Sequence, residues 1–291
     1  MDAAANRRDE LLALGAALVT VVLWASAFVA IRDAGDELSP GPLALVRLVV
    51  GTALLGVIVV LRRERLPGRR NLLGLVLCGL LWFGLYMVAL NAAERRVDAG
   101  TASMLVNVGP VLIILLAGFI LKEGFAPTLL VGCALAFAGV VVIALADAHR
   151  GASTLGVALC ILAAFAYAGG VVSQKPVVSR VAPVPAVFVS CAVGMAACLP
   201  FAPSLVDELG EVDRSAVAWA VYLGVFPTAI GFITWVFALA RTDAGRLGTM
   251  TYLVPPIAIL LGWAFLGETP AALALVGRAL CLAGVALARR R

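Results

Sequence analysis

The chain has 291 residues, 63% hydrophobic and 13% charged, with a mean hydropathy of +1.07 and a formal net charge of +5. These values exclude an ordinary soluble domain, and apolar runs of about 18 residues or more read as membrane helices. The connections are too short to hold a nucleotide-binding domain, and no Walker or Rossmann glycine pattern occurs in a strand–helix context, which argues against an ATP-driven pump in one chain.

Ten spans are predicted, at 11–31, 42–61, 71–91, 99–121, 127–146, 153–173, 184–203, 215–240, 244–266 and 270–288. Arg7-Arg8, the apolar run Leu11–Trp24 and Ala25-Ser26-Ala27 have the layout of a signal peptide. Cleavage would leave nine spans and break a five-plus-five arrangement, so this segment is read as a permanent first span. In span two, Arg47 is an intramembrane charge. It costs roughly 2.5–3.5 kcal/mol at a helix centre on insertion scales, so it is expected to face protein or water, as a structural cation or as the partner of a substrate carboxylate.

Span four carries Ser103, Met104, Asn107 and Pro110, and span nine carries Thr249, Thr251, Tyr252 and Pro255-Pro256. A proline in mid-helix removes its own N–H bond and frees the carbonyl four residues earlier, here those of Val106, Thr251 and Tyr252. In hydrocarbon such carbonyls must face protein or a wet cavity, so two kinked cavity-lining helices are expected, with packing alone as the alternative. Trp24, Ser26, Tyr86, Tyr167 and Trp235 also fall at membrane depth and are candidate substrate contacts, their alternative being an interfacial belt. In spans five and ten, Gly132 with Gly139 and Gly277 with Gly284 lie two turns apart and read as close-packing helices, which leaves a dimer contact open. Arg278 reads as structural, and Glu268 as an acidic partner for the helix that Thr269-Pro270 starts.

Spans four and five resemble spans nine and ten in sequence. Residues 98–143 match 243–288 at 18 of 46 positions without a gap, including Asp98-Ala99-Gly100 with Asp243-Ala244-Gly245, Pro110 with Pro255 and Glu123 with Glu268. The chain thus divides into repeats at 11–146 and 153–289. Five spans per repeat is an odd number, so the second repeat enters the membrane from the opposite side, an arrangement suited to alternating access about a site between the halves. Of the 22 Lys and Arg, fifteen lie on the side of the termini and even-numbered connections, five on the other and two inside spans. Both termini are therefore expected in the cytoplasm, and the +5 charge reflects this asymmetry rather than nucleic-acid binding.

The remaining chemistry is sparse. All six cysteines fall in predicted spans without metal-ligand spacing and read as apolar packing residues, and the lone His149 lies in a loop. No His pair, Ser–His set or paired Asp appears at membrane depth, so neither an enzyme nor a cofactor is expected. No Asp or Glu falls well inside a predicted span, which favours passive uniport or exchange, with coupling through Asp98 or Asp243 left open.

The order Trp24-Ala25-Ser26-Ala27-Phe28-Val29-Ala30-Ile31-Arg32, Arg47 in span two, Leu266-Gly267-Glu268 closing span nine and Gly277 to Gly284 in span ten resembles the EamA-type ten-helix members of the drug/metabolite transporter superfamily. Lys122-Glu123 stands where the family pattern often has Gly-Glu. Within the superfamily the chain is similar to the YddG-type aromatic amino-acid exporters. The resemblance implies an all-helical basket in a bacterial inner membrane, with spans one, three, four, six, eight and nine around a central cavity. It implies a secondary exporter of small metabolites, most of all amino acids including aromatic ones. A proton-coupled exporter of lipophilic drugs is the alternative. No partner beyond substrate and bilayer is expected, as monomer or dimer.

Overall fold

A computed structural model describes residues 3–121, 153–241 and 250–267, with further single residues and short pieces between 131 and 142, at 247 and between 276 and 287. The described residues form helices and no strands. In chain order these are α1 (Ala3–Ala34), α2 (Pro40–Leu61), α3 (Arg69–Cys78), a π-helical segment Gly79–Leu85, α4 (Tyr86–Glu94), α5 (Ala99–Val106) and α6 (Gly109–Leu121). Further along the chain come α7 (Thr154–Val178), α8 (Pro183–Cys198), α9 (Ala202–Leu209), α10 (Arg214–Leu223), a second π-helical segment Gly224–Ile230, α11 (Gly231–Leu239), a 3-10 turn Thr251–Leu253 and α12 (Val254–Leu266).

Six continuous helical stretches are long and apolar enough to cross a bilayer: Leu11–Ala34, Pro40–Leu61, Arg69–Glu94, Thr154–Val178, Pro183–Leu209 and Arg214–Leu239. Shorter apolar helices occupy spans four and nine, while spans five and ten fall largely outside the described residues. Side chains such as Val60, Leu61, Leu73 and Phe265 are exposed outward and, in a chain of this composition, meet lipid. The protein is a multi-pass membrane protein.

The helix starts follow local chemistry. Ser39, in extended conformation, precedes Pro40 at the head of α2, where proline's missing N–H has no intrahelical bond to lose. The carboxylate of Glu208 on α9 accepts hydrogen bonds from the Ser39 backbone N–H, at 2.9 Å, and from its hydroxyl. Glu37, just before α2, accepts from the Asp213 N–H at the head of α10. Asp98 caps α5 by accepting from the Thr101 N–H and hydroxyl, each at 2.7 Å.

Several elements recur at an offset of 145 residues. Arg69–Glu94 and Arg214–Leu239 are offset by 145 residues, and each is interrupted by a seven-residue π-helical segment at the same offset. α6 and α12 share it as well. Contacts follow the same logic: α1 packs on α10, α11 and α12, and α7 packs on α3, α4 and α6. The first π segment lies against α8 and the second against α2.

Gly79 and Gly224 open the two π segments, and each meets a helix of the other half. A Cβ on Gly79 would stand 2.6 Å from the Ser190 carbonyl oxygen, and one on Gly224 would stand 2.6 Å from Val50 Cβ and 2.8 Å from the Arg47 carbonyl oxygen. Each crossing therefore depends on a missing side chain. Gly79→Ala and Gly224→Ala are each expected to destabilise the protein by about 1–3 kcal/mol through overpacking. The check is the thermal midpoint in detergent, and a pair of variants as stable as the parent would show that the crossings yield freely.

Candidate functional site

Spans four and nine are broken where the sequence predicts kinks. α5 ends at Val106 and α6 begins at Gly109, so Pro110 lies in the first turn of a new helix. Pro255 and Pro256 likewise occupy the first turn of α12, after the 3-10 turn Thr251–Leu253. The prolines thus start half-helices rather than bend continuous ones, and they do so where an N–H would lack an intrahelical partner. The two breaks meet: Asn107 Nδ2 donates to the Thr251 carbonyl at 2.9 Å. Asn107 satisfies one of the carbonyls expected to be freed, and it also lines the cavity between the breaks.

That cavity is bounded by Trp24, Ala27 and Phe28 of α1, Arg47 of α2, Trp82 of the first π segment, Tyr86 and Leu90 of α4, Ser103 and Val106 of α5, Asn107, Tyr167 of α7, Phe232 of α11, Thr251 and Val254. It offers water about 60 Å³, several times the ~10–15 Å³ that one water needs but well below the ~300–1,000 Å³ of a metabolite pocket. The cavity as it stands is too small to enclose a metabolite.

Aromatic rings dominate the walls. Trp82 sits 4.9 Å from Tyr167 and 4.8 Å from Phe232 between ring centroids, with Trp24 5.9 Å away. Trp24 is fixed by its Nε1–H, which donates to the Pro227 carbonyl inside the second π segment at 3.2 Å. One turn away, the Thr20 hydroxyl meets the Gly231 carbonyl and lies 2.7 Å from the Thr234 hydroxyl, joining α1 to α11.

Arg47 is the exception to this apolar lining. Its side chain is 3% exposed, and its Nε donates to the Thr228 hydroxyl at 2.6 Å. Its Nη1 is buried without a hydrogen-bond partner. A guanidinium carries five donors in a fixed fork that matches a carboxylate. One edge of this fork is anchored to the protein, and a buried donor is left for a ligand.

Of the sequence candidates, Trp24, Arg47, Tyr86, Ser103, Asn107 and Tyr167 come together on the cavity wall, with Thr251. Ser103 donates to the Gly100 carbonyl at 2.7 Å. Four others are not on the wall. Ser26 joins α1 to α10 through a 2.6 Å contact with the Tyr222 hydroxyl, and Met104 is buried in the apolar core. Trp235 packs behind Trp24 at 5.1 Å, and Tyr252 is part-buried in the 3-10 turn. Thr249 and Arg278 lie outside the described residues. Sequence reasoning missed Trp82, Phe28 and Phe232. Gly79 and Gly84 around Trp82 were the available signal for a close-packed turn, but nothing in the sequence marks a π segment that turns the ring inward.

The sequence places no acid well inside a span. In the structure Glu94, three residues past the end of the third predicted span, is the last residue of the Arg69–Glu94 helix and is 1% exposed. Neighbouring Asn91 is buried too and donates to the Pro40 carbonyl at 3.0 Å.

Comparison with known proteins agrees with this architecture. A protein of Streptantibioticus cattleyicolor described as a probable terminal-alkyne amino-acid exporter is 39% identical over 96% of this chain and 94% of its own length. The uncharacterized transporter YdfC of Bacillus subtilis is 32% identical over 90% of this chain and 86% of its own. A probable amino-acid metabolite efflux pump of Escherichia coli is 27% identical over 96% and 94%. One solved crystal structure matches with a TM-score of 0.64 over 97% of this chain and 96% of its own, at 21% identity, a likeness of fold. The sequence profile of the EamA-like transporter family matches twice, at residues 11–145 and 154–290, and the chain belongs to that family.

Proposed function

We propose that this protein exports small metabolites, most of all amino acids with large apolar or aromatic side chains, by alternating access between two inverted five-helix halves. The observation that carries the reading is Arg47, a buried guanidinium with an unused Nη1 in an otherwise apolar, ring-lined cavity. A carboxylate meets the fork and an apolar side chain meets Trp24, Trp82, Tyr86, Tyr167 and Phe232. The relatives named as amino-acid exporters and efflux pumps support the same substrate class. A phosphosugar would call for more cavity cations than Arg47. A lipophilic cation, the substrate of the alternative multidrug reading, is repelled by it.

The matched breaks and π segments support the moving parts. Helices interrupted at repeat-related places flex there more readily than continuous ones, and exchange of conformation between the halves would open the cavity first to one side and then to the other. The location proposed is a bacterial inner membrane with both termini in the cytoplasm, on the side where basic residues concentrate. A green fluorescent protein fused after Arg291 is expected to fluoresce and a periplasmic phosphatase reporter fused there to stay inactive; the reverse pattern overturns the orientation.

Proteoliposomes loaded with a panel of radiolabelled amino acids are expected to release apolar and aromatic ones. Arg47→Gln removes the carboxylate partner, and loss of charge-assisted bonds worth about 1.5–3 kcal/mol corresponds to a transport loss of roughly 10- to 150-fold. Trp82→Ala is expected to lower the affinity for phenylalanine more than that for alanine, measured by competition. Protein that releases no amino acid from such a panel would exclude the substrate class.

A further inference from the structure

Arg47 suits one end of an amino acid and works against the other. A guanidinium has donors and no acceptor, so it meets a carboxylate and repels an ammonium. Among the described residues that line the cavity none is an Asp or a Glu. Whatever receives an ammonium on this wall has to be a neutral acceptor.

The α5 wall supplies two. Ser103 lies in α5, Asn107 follows its last residue, and both line the cavity. They are four residues apart, one turn along the same helix face. The hydroxyl hydrogen of Ser103 goes to the Gly100 carbonyl at 2.7 Å. That leaves Ser103 Oγ its lone pairs, because a hydroxyl has one hydrogen and two acceptor sites. Asn107 Nδ2 donates to the Thr251 carbonyl at 2.9 Å. A carbonyl accepts only from the nitrogen end of an amide, and this contact therefore fixes which end of the Asn107 side chain is which. Oδ1 is the end left over, and no group among the described residues donates to it. Both side chains have turned a donor to the backbone and keep an acceptor, while Arg47 on α2 keeps a donor, its Nη1. The wall thus offers donors from α2 and acceptors from α5.

We infer that Ser103 Oγ and Asn107 Oδ1 receive the ammonium of the exported amino acid while Arg47 holds its carboxylate, which makes α5 the element that selects α-amino acids over other apolar acids. The inference rests on the export reading and deepens it. With Arg47 alone, any apolar carboxylate would fit. An acid that carries no donor leaves the two acceptors unmet once it has displaced their water, and a mismatch of that kind costs more than a missing apolar contact. Because the acceptors are neutral, they also take a hydroxyl. The expected order of preference is amino acid, then α-hydroxy acid, then the acid that has neither group. An amine without a carboxylate meets Arg47 unscreened and ranks with the last.

The test uses the full-length protein in proteoliposomes and in detergent. The probes are L-phenylalanine, L-3-phenyllactate (hydroxyl in place of ammonium), 3-phenylpropionate (neither) and phenethylamine (no carboxylate). Wild-type protein is expected to prefer phenylalanine to 3-phenylpropionate by about tenfold or more, with phenyllactate between them, read by competition against labelled phenylalanine and by ligand-induced thermal stabilisation. Ser103→Ala keeps the Asn107–Thr251 bond and is expected to lower that ratio roughly three- to tenfold, by weakening phenylalanine while 3-phenylpropionate is unchanged. Asn107→Leu is expected to lower it at least as far. The ratio within one variant is the readout because a merely structural fault weakens both probes alike. If Asn107→Leu does not fold for want of a donor to the Thr251 carbonyl, Ser103→Ala alone decides. Wild-type protein that binds 3-phenylpropionate as well as phenylalanine, or variants that keep the wild-type ratio, overturn the acceptor role of α5 and leave export standing. Wild-type protein that moves no amino acid overturns the export reading, and this inference with it.

Discussion

Backbone groups in hydrocarbon must find hydrogen-bond partners inside the protein, and the rest of this structure depends on that constraint. A helix meets it continuously, so every interruption has to be placed where something other than lipid answers it. Here the interruptions lie on the inside of the bundle. The break after Val106 faces the break at Thr251, where the Asn107 amide takes up a carbonyl. The second π segment receives the Trp24 indole on its Pro227 carbonyl. The same broken helices leave room between them, so the cavity and the unusual backbone share one cause.

The frame is repeated while its contents are not. At an offset of 145, Arg47 corresponds to Ala192, Trp82 to Pro227, Tyr86 to Gly231, Glu94 to Leu239 and Asn107 to Tyr252. The π segments, the half-helices and the helix contacts recur in both copies, but each residue that gives the cavity its charge or its rings belongs to one copy. This division is physically sensible. Backbone geometry sets which helices flex, and two similar frames have similar conformational preferences. On the proposed reading an amino-acid ligand needs one cation and one set of rings, which a symmetric lining would duplicate.

Much of this was legible in the sequence. Composition gave the membrane, proline placement located the two breaks within a few residues, and the cost of a buried charge directed attention to Arg47. What the sequence hides is orientation around a helix. Trp24 and Trp235 are equally good cavity candidates by depth, yet one ring is on the wall and the other is packed behind it. Ser26 falls beside Trp24 in sequence and turns outward to Tyr222. A π segment inserts extra residues into a turn and rotates everything after it, so the 3.6-residue period fails to place Trp82 and Phe232. Glu94 was passed over for a different reason: hydropathy ends the third span at residue 91, whereas burial in the structure extends to the last turn.

The narrowness of the cavity and the unmet donor on Arg47 are best understood together. A guanidinium buried with an idle Nη1 is an unfavourable group, and the rings around it leave space for only a few waters. A carboxylate ligand would relieve that cost in a state wide enough to admit it and still close enough to wrap it. A ligand shifts a conformational equilibrium only by its differential affinity for the two states. Anchoring of Arg47 through Nε to Thr228, in the second π segment, ties the group that meets the ligand to a backbone segment that is already irregular. On the proposed cycle, ligand binding at the fork and movement of the second half would be linked through the 2.6 Å hydrogen bond from Arg47 to Thr228. The cation acts as a recognition element and, on the proposed cycle, as the link through which recognition reaches the moving helices.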